Sequence, residues 1–213
     1  MGRAPALLSR ARFAAFAALA IAVVVYYETH ASWPRFSVWP DVTFLAFLIL
    51  PAVFGLVVLL LPLWPRRWIG YAGAGLAVLA VLCDWADFAV AGNFAKLFAT
   101  TFVGWWFLGI FEELSWVVLV SLLVPWVDAY SVWRGPTKTI TEKHVGVFHH
   151  LSIYFPDPGR HVSSHLGLPD VLFFAVFLAA AARFRLRVGW TWLAMTLSFG
   201  ATVALAVWRD LNG

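Results

Sequence analysis

From Val42 to Leu63 the chain carries no charged side chain, and that run decides the class of fold. As a helix it matches the roughly 30 Å hydrocarbon core of a bilayer. Inside hydrocarbon only helices and closed barrels satisfy their own peptide groups. Similar runs recur at Phe13–Tyr27, Trp68–Leu82, Phe94–Ile110, Leu114–Trp133 and Val188–Trp208, with a shorter one at Val171–Ala182. Hydrophobic residues make up 62% and charged ones 12%, where a soluble domain is about half apolar and a quarter charged. The sequence therefore predicts an all-α, polytopic transmembrane helix bundle of about seven spans. It reads as a single transmembrane domain over residues 1–213, with one polar loop at about 134–165, in a multi-pass protein of the cell membrane.

Punctuation between the runs is sparse. Arg3, Arg10 and Arg12 precede the first run. It reads as a retained first helix; the alternative is a signal peptide with a poor cleavage site at Ala31. Pro51 and Gly55 are expected to kink the second span, while Gly70, Gly73 and Gly75 are small residues suited to close helix packing. Glu112 and Glu113 separate a pair of runs that as one helix would overreach the bilayer, so two spans joined by a tight turn are expected. The single cysteine, Cys83, excludes an internal disulfide. A pI near 9.6 speaks for topology and anionic lipid, and no nucleic-acid motif accompanies it. The short arginine clusters favour an N-terminus inside, which would place the 134–165 loop outside.

Two acids stand out by depth. The run Val171–Ala182 is only about 18 Å long as helix, so a span here must draw in Asp170 at one end and Arg183 at the other. Arginine can reach the interface along its own stem; the short Asp170 cannot. Asp128 lies about 7 Å below the same surface if its helix ends at Trp133. On neighbouring antiparallel helices the two carboxyls can approach, and a close pair shares a proton. That is what an aspartyl protease needs: one acid activates water while the other donates a hydrogen bond to the scissile carbonyl. The plainer alternative pairs Asp128 with Arg134 and makes Asp170 a first-turn acid favoured by the helix dipole.

"DAYSVWRG" closing one run and "GLPD" opening the next resemble the GxGD intramembrane aspartyl proteases, the presenilin and signal peptide peptidase group. The nearest likeness is to presenilin-like microbial homologues, over roughly residues 115–208. The resemblance implies a presenilin-like helical fold and Asp128 and Asp170 as the catalytic pair. Gly167, Leu168, Pro169 and Tyr130 would shape the site or hold unwound substrate. The substrates implied are membrane-protein segments or remnant signal peptides in the lipid bilayer, with no cofactor, no metal and no nucleic acid. Val127 stands where the family usually has tyrosine, and Pro169 replaces the second glycine of the motif. The family's Pro-Ala-Leu segment is not present, which reads as a fragment or a shortened member. The family's orientation would put the 134–165 loop inside.

Other constellations point elsewhere. His149, His150, Asp157, His161 and His165 have zinc-type chemistry without zinc-type spacing, so a solvated loop is the plainer expectation. Asp84 and Asp87, at i and i+3, read as boundary residues sharing a helical face, or as members of a proton pathway. The alternative function is a non-catalytic membrane protein: a proton-coupled transporter or channel, or a degenerate family member.

Overall fold

The computed structural model describes residues 9–134 and 150–212. It is mostly helical, and among the described residues a helix stands at each of the seven apolar runs. These are α1 (Arg10–Thr29), α2 (Val38–Phe44) leading through a π turn (Leu45–Ile49) into α3 (Leu50–Leu60), α4 (Ile69–Trp85), α5 (Ala89–Phe107), α6 (Leu114–Arg134), α7 (Leu168–Arg183) and α8 (Val188–Asn212). Among the described residues three stretches are long and apolar enough to cross a membrane: Arg10–Ser32, Val38–Leu63 and Val188–Arg209. α4 and α7, at 17 and 16 residues, reach only about 24–26 Å. Seven spans are thus not shown by the helix lengths.

The all-α expectation also overlooked a hairpin. Strands β1 (Ser152–Pro156) and β2 (Ser163–Gly167) form a two-stranded sheet inside what the sequence presents as a polar loop. Asp157 N–H donates to the Val162 carbonyl and Leu168 N–H to that of Leu151. This register sets Tyr154 opposite His165. The turn is Asp-Pro-Gly-Arg: Arg160 N–H returns to the Asp157 carbonyl, Pro158 occupies the second position and Gly159, at φ +66°, the third. These are the residues of a type II turn.

Two compact units divide the chain. The first comprises residues 1–69, 155–164 and 187–213. Here Pro51 has no N–H to give, and the preceding turn widens: Leu50 N–H donates to the Leu45 carbonyl, a π-type bond. α8 packs on this widened turn and on α3. Gly200 lies so close to Ala46 that a Cβ there would be 2.8 Å from the alanine methyl, and Phe54 meets Phe199 with centroids 5.5 Å apart.

The second unit comprises residues 70–154 and 165–186, and its principal contact is α5 on α7. Phe174, Ala175, Leu178 and Ala179 are fully buried, so the shortest apolar run supplies the most enclosed helix. The small side chains of α7 let α5 come close: a Cβ on Gly104 would lie 3.0 Å from the Leu172 carbonyl oxygen and 3.1 Å from Ala175. The predicted glycine set on α4 only partially serves as a packing face. Gly70 and Gly73 abut Trp106 and Phe102–Val103, whereas Gly75 faces open space. α4 and α7 end alike, with a left-handed residue, Asp87 or Arg185, followed by an N–H that reaches back five residues (Phe88 to Cys83, Leu186 to Ala181), a Schellman closure. Asp87 therefore lies past the helix and shares no face with Asp84, contrary to the i, i+3 expectation. Leu108–Ile110 form a 3₁₀ turn before α6, so the chain does break near Glu112–Glu113.

These two glycines give a test. Gly104→Ala should cost about 1–3 kcal/mol through overpacking against backbone. Gly75→Ala should be neutral, or stabilising by up to about 1 kcal/mol from helix propensity. Chemical denaturation in detergent micelles measures both.

Candidate functional site

α6 touches α7 in a small contact within the second unit, which makes the helices bearing Asp128 and Asp170 neighbours. The side chains of Asp128 and Tyr130 lie outside the described residues. Asp170 stands in the first turn of α7 and is half-buried. The chain reaches it without a loop. β2 ends at Gly167, which caps the helix in an extended conformation (φ −61°, ψ 144°), and Pro169 fills the first turn, where its missing N–H has no cost. Leu168 still belongs to the hairpin ladder through its bond to Leu151, 2.9 Å. An acid in that first turn is favoured by the helix dipole, so the local role of Asp170 is met by the plainer alternative too. At the other end, Arg183 donates to the Leu108 carbonyl at 3.0 Å and lies over the Phe184 ring.

The base of the hairpin is held by a buried amide. Asn93 on α5 accepts from Tyr154 N–H at 2.7 Å and donates to the Tyr154 carbonyl at 3.0 Å. The side chain thus bonds the outward edge of β1 as a neighbouring strand would. On the hairpin face Ser152 Oγ lies 3.0 Å from His165 Nδ1, and the Tyr154 and His165 rings meet.

The described histidines do not gather into a metal site. Among the described residues no group of three or more His, Cys, Asp and Glu could hold an ion. His150 instead faces Asp84 at 3.1 Å, His161 is exposed, and His149 lies outside the described residues. Asp84 also accepts Lys96 Nζ at 2.8 Å. This pair was missed in the sequence, although Lys96 is the one charge between Phe94 and Ile110. A mostly buried lysine needs such a partner.

In the first unit a cavity of about 130 Å³ is lined by Asp41, Asp157, Arg160 and Ser164, with valine walls that include Val42 and Val203. Asp41 opens α2 and Asp157 follows β1. Arg160 Nη2 donates to the Phe36 carbonyl at 3.2 Å, and Ser164 Oγ lies 3.5 Å from Asp157 Oδ1. Burial, and then the charge of Asp41, push the Asp157 carboxyl up to about 6, against the opposing pull of Arg160, Ser164 and His30. Here are two carboxyls in one cavity, and they are not the two chosen from the sequence. Asp41 and Asp157 each follow a proline, as Asp170 does, so the sequence carries no local signal that singles this pair out.

The glycines beside these acids differ in kind. Gly167 has ordinary dihedral angles, and a Cβ there would make only van der Waals contact with Asp170 Oδ2, at 3.4 Å. Gly159 is left-handed, and a Cβ would come within 2.6 Å of the Trp33 carbonyl oxygen. Gly167→Ala should change stability by no more than about 0.5 kcal/mol, and Gly159→Ala should cost about 1–3 kcal/mol, both read from denaturation midpoints.

No family model, curated protein or solved structure matches the chain.

Proposed function

We propose that the protein is an intramembrane aspartyl protease that cleaves transmembrane segments of membrane proteins or remnant signal peptides, with Asp128 and Asp170 as its acid pair. The observation that carries the reading is the pairing of α6 with α7, the two helices on which these acids stand. One carboxylate takes a proton from water as it attacks the scissile carbonyl. The other, protonated, donates a hydrogen bond to that oxygen, and the roles exchange when the amine leaves. The passage from β2 into α7 through Gly167, Leu168 and Pro169 adds support, because extended backbone arrives beside Asp170. An unwound substrate segment is suited to pair with such a strand.

A second reading, a non-catalytic proton-coupled membrane protein, is favoured by one specific observation, the Asp41–Asp157 cavity. Acids that meet in a membrane protein are common members of proton pathways.

In reconstituted full-length protein, Asp128→Asn and Asp170→Asn should each reduce cleavage of a transmembrane substrate by roughly 10²–10⁴-fold. The wild type should show a bell-shaped pH profile, as a pair sharing one proton has one lowered and one raised pKa. Turnover surviving in either variant sinks the two-aspartate mechanism. Proton flux into liposomes that survives Asp128→Asn, with no cleavage at any pH, selects the second reading.

A further inference from the structure

The tip of the hairpin, residues 157–162, is fastened to the connector between α1 and α2. Gly159 N–H donates to the His30 carbonyl at 2.7 Å. Arg35 Nε donates to the Gly159 carbonyl at 3.0 Å, and Arg160 Nη2 to that of Phe36 at 3.2 Å. Just before the tip, the Tyr26 hydroxyl donates to the Pro156 carbonyl. The fit leaves no room for a side chain at Gly159.

One group of the tip works against this seating. Asp157 brings its carboxyl into the cavity that already holds Asp41, with the guanidinium of Arg160 beside them both. If both acids are ionised, the cavity encloses two negative charges and one positive. If Asp157 is neutral, the charges of Asp41 and Arg160 balance. Two like charges in a confined space of low polarity repel more strongly than they would in water.

We propose that the hairpin tip is a proton-controlled latch, seated firmly on the α1–α2 connector when Asp157 is neutral and loosened when Asp157 ionises against Asp41. Every element around the cavity enters the balance. α2 contributes Asp41, which raises the cost of ionisation. The hairpin contributes Arg160 and Ser164, and the end of α1 contributes His30, all of which lower it. Arg35 on the connector bonds the tip through backbone, whereas α8 offers only Val203 and Val207. The cationic groups blunt the response, but burial and Asp41 outweigh them, since the carboxyl stands at about 6 and not at its ordinary 3.8.

The sign follows. The seated tip binds the proton more tightly than the released tip. The latch is therefore strongest below pH 3.8, weakens as pH rises, and has lost the whole contribution once pH has passed through about 6. With a released-state carboxyl at its ordinary value, about two pH units of difference correspond to about a hundredfold in the opening equilibrium. The proposal concerns the first unit alone and stands whether or not the chain is a protease.

Amide hydrogen exchange of the full chain in detergent, followed at Gly159 and corrected for intrinsic rates, tests it. Protection should rise by up to about a hundredfold between pH 7 and pH 4. In Asp157→Asn it should stay high and flat across that range. In Asp41→Asn the rise should begin at lower pH, because the neighbouring charge is gone, and this variant carries the test if Asp157→Asn does not fold. Flat protection in the wild type, or an unchanged pH profile in the variants, overturns the latch.

Discussion

A peptide group in hydrocarbon has no water to bond, so each must find a partner within the protein. That constraint accounts for most of what the chain does. It turns the apolar runs into helices, and closes α4 and α7 with left-handed residues that return N–H groups to buried carbonyls. Before Pro51 the backbone widens into a π turn, in which Leu50 N–H reaches the Leu45 carbonyl. Side chains are recruited for the same purpose, as when Arg183 takes the Leu108 carbonyl and Asn93 takes both groups of Tyr154. Among the described residues three buried side-chain atoms have no partner, Thr101 Oγ1, Trp105 Nε1 and Trp192 Nε1, and two of these lie one turn apart on α5.

Within that frame the two units use small residues differently. In the second, alanines on α7 and Gly104 on α5 bring two backbones together over a long contact, so a helix too short to span is enclosed by protein. In the first, Gly200 admits α8 to the widened turn, while α1 and α8 keep most of their apolar surface outward. Outward apolar surface of this kind suits lipid. The most apolar of the three long stretches, Val38–Leu63, is also the most enclosed by protein.

What could be read from the sequence follows the same division. Among the described residues, runs of apolar residues locate α1 to α8, because helical backbone satisfies itself locally. The number of spans could not be read, since α4 and α7 have the composition of a span without its length. The hairpin was hidden because "SIYFP" is a short segment in polar surroundings and its outer bonds come from Asn93, far away in sequence. The order Gly167–Leu168–Pro169–Asp170 was legible as a motif, and so was the neighbouring of α6 and α7. The meeting of Asp41 with Asp157 was not, because nothing local in either Pro-Asp dipeptide distinguishes it from Pro169–Asp170. Asp128 and Tyr130 remain identified by sequence and helix position only.

The amide of Asn93 has one more consequence. A strand edge ordinarily invites another strand, and natural proteins blunt such edges to avoid runaway pairing. With Asn93 occupying both groups of Tyr154, the β1 side of the sheet cannot recruit a partner at its centre. Loss of Asn93 would remove both of these bonds and reopen the centre of the β1 edge to strand pairing.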